Sequence, residues 1–188
     1  MIRRTFLQGS AAAVAAMCIP LSAAGFGIGS TKKKIAVVSE AAYETGYVNA
    51  VSTKVDDVVV LGSDRLKNLH ILSAAMKENR GTLFCGLLVH SDFTLLHHVA
   101  AAHKAKIVSE AAHTPSHNGT SHTENSFASI SVKKAFDTFS SIANGQYGTA
   151  LSSYHTLGPH NTLSVAKQID FVSNHTTKNA FVSFVIKA

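Results

Sequence analysis

The sequence predicts an α/β fold built on a doubly wound, mainly parallel sheet. Four short apolar runs carry this prediction, each followed by polar residues: 35–38, 58–61, 83–89 and 106–108. Because these runs are continuous rather than alternating, they are typical of strands buried on both faces of a parallel sheet.

Helical patterns separate the apolar runs. Apolar residues recur at three- and four-residue spacing in two segments: Leu66, Leu69, Leu72 and Met76, and then Leu95, Val99 and Ala102. Gly81 supplies the left-handed residue that ends the first of these helices. The alternation of strands and helices from residue 35 to about residue 110 indicates right-handed crossovers, as in Rossmann-like or flavodoxin-like sheets.

The C-terminal half is predicted to be irregular α+β. Its segments are a polar loop at 113–125, a half-exposed strand at 126–132, a helix from Val132 to Asn144-Gly145, a helix from Tyr147 to Gly158-Pro159, a weaker helical pattern at 163–172 and a strand at 180–186.

The first 24 residues resemble a twin-arginine (Tat) signal peptide. Arg3 and Arg4 precede Phe6, a mildly apolar stretch spans 11–21, and Ser22-Ala23-Ala24 fits a small-x-small cleavage site. The resemblance implies a signal peptide at 1–24 and a periplasmic or secreted protein. A linker at 25–34 and a single α/β domain at 35–188 then follow. Gln8 departs from the usual motif, so the general secretory route stays open.

The charge of the mature chain limits the kinds of partner that it is expected to bind. Without Arg3 and Arg4 it has 15 basic and 11 acidic residues, a net charge of +4. The basic residues are spread out and are not interleaved with aromatic residues, which disfavours nucleic acid. We expect no membrane span in the mature chain, and a periplasmic partner protein or a small ligand as its partner.

Histidine is the most informative residue type, because all 11 histidines lie after the predicted signal. His113, His117 and His122 fall within ten residues, in a segment where Pro115 and Asn118-Gly119 disfavour a helix. Together with His90 they form the predicted metal ligands, and three nitrogen ligands suit Zn or Cu. We expect His90 and His113 to be the inner pair. A solvated loop without metal is the alternative.

Ligands of open α/β sheets bind beyond the carboxyl ends of the strands. The polar side chains predicted there as ligand-binding residues are Ser39, Glu40, Ser91 and Asp92. The same serine and acid pairs also suit helix capping, since Ser binds free amide groups and an acid complements the helix dipole.

Three classes of function remain. The first is an exported accessory protein that binds a metal ion or redox cofactor through histidines at this crevice. The second is a metal-free binding or partner-interaction module, and the third is a hydrolase in which His90 or His113 is the general base and Asp92 orients it. The chain has neither a Gly-x-Ser-x-Gly elbow nor a Gly-x-Gly-x-x-Gly loop. Cys85, within an apolar run, is predicted to be a buried hydrophobe.

Overall fold

The computed structural model describes residues 33–128, 131–139, 147–157, 162–175 and 177–188. The strands in these ranges are β1 (Lys34–Ser39), β2 (Asp57–Leu61), β3 (Leu83–Val89), β4 (Lys106–Ser116), β5 (Gly119–Ala128), β6 (Thr162–Ser173) and β7 (Phe181–Lys187). The α-helices are α1 (Tyr47–Ser52), α2 (Arg65–Glu78), α3 (His90–Ala102), α4 (Val132–Phe139) and α5 (Tyr147–Leu157). A 3₁₀ helix spans Glu40–Thr45.

The described strands form one seven-stranded sheet in the order β2-β1-β3-β7-β4-β5-β6. The α/β class is therefore confirmed, but the mainly parallel, doubly wound sheet is wrong. Only β1 pairs in parallel, with β2 and with β3, and the other four pairings are antiparallel. The physical reason is that β7, the last strand, inserts between β3 and β4 and runs against both.

Helices cover both faces of the sheet around β1 and β3. One face packs against α2 and α3, with Phe84, Leu88 and Leu96 in its core. The other face packs against the 3₁₀ helix, α1, α4 and α5, with Leu87 and Leu151 in its core. None of the helices in the described part of the chain is long and apolar enough to cross a membrane.

The predicted elements of the first half are confirmed. β1, β2, β3, α2 and α3 lie where the apolar patterns place them, and β4 starts at the fourth predicted strand. Gly81 has a φ of 78°, the left-handed conformation expected after α2. In the second half, α5 and β7 are confirmed, whereas the predicted end of α4 at Asn144-Gly145 lies outside the described residues.

Three predictions in the second half are wrong. The segment predicted as a polar loop at 113–125 is a β-hairpin, because β4 continues to Ser116 and β5 starts at Gly119. The half-exposed strand predicted at 126–132 is only the end of β5, which stops at Ala128 before α4 begins. The helical pattern at 163–172 belongs to β6, which pairs with β5 along its length.

Pro115 can occupy a strand here because of where β7 starts. Phe181, the first residue of β7, pairs with His113, so beyond that point β4 has only β5 as a neighbour. Proline is tolerated where a strand has no partner on one side, since its missing N–H leaves no bond unmade.

Candidate functional site

The inner face of β4, β5 and β7 is unusually polar. Side chains on the face shared with α4 and α5 are all at most 2% exposed, although they are hydrophilic: Ser109, His113, His122, Glu124, Ser126 and Ser183. Burying polar groups costs free energy unless they are hydrogen-bonded, so we expect these side chains to have hydrogen-bond partners.

His113 and His122 form the centre of that network. They are directly opposite each other in the register of β4 and β5, and their Nδ1 atoms are 2.6 Å apart. The outer ring nitrogens also have partners, because His113 Nε2 lies 2.7 Å from Ser183 Oγ and His122 Nε2 lies 2.8 Å from Ser173 Oγ. The four side chains thus form one hydrogen-bonded chain across β7, β4, β5 and β6.

Aromatic rings enclose the pair. The ring of Phe171 stacks on His122 at 4.3 Å, and Phe136 packs against it at 4.9 Å. Tyr147 contacts both imidazoles, with ring centroids 5.6 Å from His113 and 6.3 Å from His122. This aromatic enclosure fixes the orientation of both rings.

Burial keeps both imidazoles uncharged at neutral pH. Desolvation and, to a smaller extent, the neighbouring His175 lower the pKa of His122 to about 4. The pKa of His113 is also well below its ordinary value, first because of burial and then because of His122. Each ring therefore carries a single N–H and has a free lone pair on its other nitrogen.

A polar cavity of about 550 Å³ lies beside the aromatic enclosure of the pair. It lies at the edge where β1 and β3 end and β7 begins, which is where ligands of α/β sheets were expected. Its lining residues come from the 3₁₀ helix, the start of α5 and the segment between β6 and β7: Glu44, Thr45, Tyr147, Asn174, His175, Thr177, Lys178, Asn179 and Phe181. Tyr147 is shared between this lining and the enclosure of the histidines.

No family model, curated protein or solved structure matches this chain. Arguments about its function therefore depend on the side chains of this site.

The structure brings together two of the four predicted metal ligands, His113 and His122. His90 is exposed at the start of α3, and His117 is exposed in the turn of the hairpin. The expected inner pair of His90 and His113 is thus replaced by His113 and His122. In the part of the chain that the structure describes, no group of three or more His, Cys, Asp or Glu side chains could hold a metal ion.

The predicted ligand-binding residues lie at the strand ends but do not line the cavity. Ser39 donates to Asp92 Oδ2 at 2.5 Å and accepts from the Val89 amide at 3.0 Å, so this buried pair connects the ends of β1 and β3. Glu40 and Ser91 are exposed in the first turns of their helices. Asp92 is therefore engaged with Ser39, away from the histidine pair.

Sequence reasoning missed two further parts of the site. His155 is fully buried in α5 with its Nδ1 2.5 Å from the Tyr47 hydroxyl, and burial lowers its pKa to about 3. Ser173 follows the segment 163–172 that is predicted to be helical, and it is the last residue of β6. The signal that could have found the histidine pair is a hairpin turn at this point of the chain. In the structure the two turn residues are His117 and Asn118, and residues 113 and 122 are equidistant from them.

Cys85 is buried, as predicted. Its thiol has a pKa of about 12, raised mainly by desolvation. It is therefore protonated at neutral pH and is a poor nucleophile.

Proposed function

We propose that the protein is an exported binding module that takes a small neutral or zwitterionic polar molecule into this cavity. The observation that carries the proposal is the cavity itself. Its volume of about 550 Å³ is typical of small-ligand sites, and it lies at the strand-end edge of the sheet.

The chemistry of the lining supports the class of ligand. Glu44 and Lys178 contribute opposite charges, so the lining has no net charge when both are ionised. Tyr147 and Thr177 each have a buried hydroxyl without a hydrogen-bond partner among the described residues. Buried hydroxyls of this kind are usually satisfied by water or by a ligand. A polar molecule with hydrogen-bond acceptors complements such a surface.

The test is a thermal-shift screen of small polar molecules grouped by charge: neutral, zwitterionic, anionic and cationic. We expect neutral or zwitterionic compounds to raise the melting temperature by about 5 °C at a hundredfold excess over Kd. Asn174→Trp should block the cavity and abolish the shift, whereas the matched control Asn125→Trp, on an exposed position of β5, should retain it. Equal shifts in both variants, or no shift with any class, would contradict the proposal.

A partner protein at the same edge is the other form of a binding module. Size-exclusion chromatography of protein isolated from the periplasm distinguishes the two forms. A co-eluting second chain that Asn174→Trp displaces would indicate a partner at the cavity rather than a small molecule.

A metal or redox-cofactor function is the second candidate, and the facing nitrogens of His113 and His122 favour it. The fit is imperfect, because two nitrogens bound tetrahedrally to one Zn lie about 3.3 Å apart, whereas these Nδ1 atoms are 2.6 Å apart. Their separation suits a hydrogen bond, so the pair would have to open to admit Zn or Cu. Protein purified without chelator should contain about one equivalent of metal if this function is right. Less than roughly a tenth of an equivalent would exclude it.

We also propose that the protein is exported, because residues 1–24 resemble a signal peptide. If export uses the Tat route, it should depend on Arg3 and Arg4. Replacing Arg3 and Arg4 by lysine should reduce the amount of processed protein in the periplasm at least about tenfold, because the Tat route depends on both arginines. Fractionation and immunoblotting measure this, with Arg80→Lys as the matched control. Undiminished export of the double variant would instead indicate the general secretory route.

A further inference from the structure

The hydrogen-bonded chain Ser183–His113–His122–Ser173 has the arrangement of a nucleophile, a base and a group that orients the base. In hydrolases that use serine, the hydroxyl lies within about 3 Å of an imidazole nitrogen, and a third group binds the other nitrogen. Here Ser173 Oγ lies 2.8 Å from His122 Nε2, and His122 Nδ1 lies 2.6 Å from His113 Nδ1.

Proton positions in this chain can be assigned from the donors available. If the His122 Nδ1–H donates to His113 Nδ1, then His113 carries its own proton on Nε2 and donates it to Ser183 Oγ. His122 Nε2 is then left with a lone pair that accepts from the Ser173 hydroxyl. All three hydrogen bonds are satisfied, and Nε2 of His122 is the basic atom.

The chain is nearly symmetric, so the two serines must be distinguished by access. Ser183 is 1% exposed in the middle of the sheet and cannot meet a substrate. Ser173 is partly exposed at the end of β6 and immediately precedes Asn174 and His175, which line the cavity. Gly119 allows this close arrangement, because a Cβ there would lie 2.0 Å from the Ser173 carbonyl oxygen.

We propose that Ser173 is a nucleophile, with His122 as its general base and His113 as the positioning residue that orients His122. This inference rests on the proposed function in one respect, because the cavity is the route by which a substrate reaches Ser173. The lining without net charge points to neutral carboxylic esters with short acyl groups as the substrate class.

The reaction is acyl transfer to water through an acyl-enzyme. Ser173 Oγ attacks the ester carbonyl carbon, its proton moves to His122 Nε2, and the carbonyl π electrons move onto oxygen. When the tetrahedral intermediate collapses, the bond from carbon to the alcohol oxygen breaks, and that oxygen takes the proton from His122 Nε2. Water then attacks the acyl-enzyme in the same way, giving the carboxylic acid and free Ser173. Throughout the reaction the proton on His113 Nε2 stays on that nitrogen and is donated in a hydrogen bond to Ser183 Oγ.

The direct test is labelling of the full-length protein with a fluorophosphonate probe, followed by peptide mass spectrometry. We expect one adduct, on Ser173, and its loss in Ser173→Ala. Ser116→Ala, at an exposed position of β4 outside the hydrogen-bonded chain, is the matched control, and this variant should still be labelled on Ser173. No adduct in the native protein, or an adduct on another residue, would overturn the proposal.

Hydrolysis of p-nitrophenyl acetate tests the roles of the two histidines. We expect Ser173→Ala to lower kcat by about 100-fold or more. His113→Leu should lower kcat to a similar extent with KM unchanged, and His113→Gln, whose side-chain oxygen can accept the Nδ1–H of His122, should recover part of it. Equal kcat in His113→Leu, His113→Gln and the native protein, each confirmed as folded by circular dichroism, would remove His113 from its role.

The two proposals fail separately. Ser173→Ala leaves the cavity lining intact, so it should still show the thermal shift with neutral or zwitterionic molecules. If that shift persists while no serine is labelled, binding stands and the hydrolase inference is wrong. If labelling occurs at Ser173 but no small molecule shifts the melting temperature, the binding-module function is wrong and the acyl-transfer chemistry stands.

Discussion

Acidification from about pH 8 to about pH 4 is expected to destabilise the folded protein by at least about 3 kcal/mol, as the net result of a loss from buried histidines and a smaller gain from Glu124. The destabilising effect comes from the buried histidines. His155 has a folded pKa of about 3 and His122 of about 4, both below the ordinary 6.5. Below pH 6.5 the unfolded chain therefore binds protons that the folded chain does not, and stability falls as the pH falls. At pH 4 these two groups together cost about 6 kcal/mol. His113, whose pKa is also lowered by burial, adds to this loss.

Glu124 opposes this loss. Burial raises the pKa of its carboxyl from 4.5 to about 7, although Oε2 accepts a hydrogen bond from the Val132 amide, and Oε1 has no partner among the described residues. The folded chain therefore takes up a proton on Glu124 that the unfolded chain does not. The stabilisation from this group is present below pH 4.5 and is lost as the pH rises through 7. Between pH 4 and pH 8 this stabilisation changes by about 3 kcal/mol.

Urea unfolding followed by circular dichroism at several pH values measures the net effect, and two variants separate its parts. Glu124→Gln should be more stable than the native protein at pH 8 by up to about 3 kcal/mol and should lose at least about 6 kcal/mol on acidification. Since domains are stable by only about 5–15 kcal/mol, this variant approaches unfolding near pH 4. His155→Gln should show a pH dependence weaker by about 3 kcal/mol, whatever its absolute stability.

The exposed His117 provides the control for the histidines. Replacing it by Gln should leave the pH dependence unchanged, because it is solvated in both states. Stability of the native protein that rises steadily from pH 8 to pH 4 would show that the buried imidazoles do not carry this cost.

The first half of the fold could be predicted because its strands bury apolar side chains. Every residue from Leu83 to Leu88 is buried in β3, so the run is uniformly apolar and its strand character is evident. The direction of pairing was not predictable in the same way. Nothing in the apolar run of Phe181 to Ile186 indicates that β7 inserts between β3 and β4, because partners in a sheet are set by tertiary packing.

The hairpin of β4 and β5 could not be predicted because its inward-facing residues are polar. In β5, burial alternates along the strand, but the buried positions include Thr120, His122, Glu124 and Ser126. If inward-facing residues are assumed to be apolar, the pattern of these residues predicts a loop. The same substitution of polar for apolar residues is what creates the site, so the region hardest to predict from the sequence is also the region that carries the candidate chemistry.

The candidate site was predicted in part for the same reason. His113, a predicted ligand, lies in the buried histidine pair, but its partner comes from across a hairpin rather than from the next strand end. His90 follows β3, and Phe181 of β7 separates β3 from β4 at this level of the sheet. Insertion of β7 therefore displaces His90 from His113 and leaves His122 as the adjacent imidazole.

Gly148→Ala is expected to lower the melting temperature by about 6–12 °C, corresponding to about 3 kcal/mol for a chain of this size. Gly148 is the second residue of α5, where it contacts the backbone at the start of α1. A Cβ at this position would lie 2.2 Å from the Tyr47 amide nitrogen and 2.5 Å from the Gly46 carbonyl carbon. Neither neighbour is a flexible side chain, so α5 must move away from α1.

The movement breaks more than one contact between the two helices. It lengthens the 2.5 Å hydrogen bond between the Tyr47 hydroxyl and His155 and the 2.8 Å bond from Ser152 Oγ to the Ala50 carbonyl. Overpacking costs about 1–3 kcal/mol, and each lost hydrogen bond costs about 1 kcal/mol more. Alanine has a better helix propensity than glycine, but this stabilises α5 by only about 1 kcal/mol, so the net change is destabilising.

Gly62→Ala is the matched control for this prediction, because a Cβ at Gly62 meets nothing within 4 Å. Its melting temperature should change by less than about 2 °C. Because Tyr147 precedes Gly148 and packs on both His113 and His122, Gly148→Ala should also weaken ligand binding in the cavity. A Gly148→Ala variant with native stability and native ligand affinity would mean that α5 can shift without disturbing Tyr147, and the close approach of the two helices would not be what positions the site.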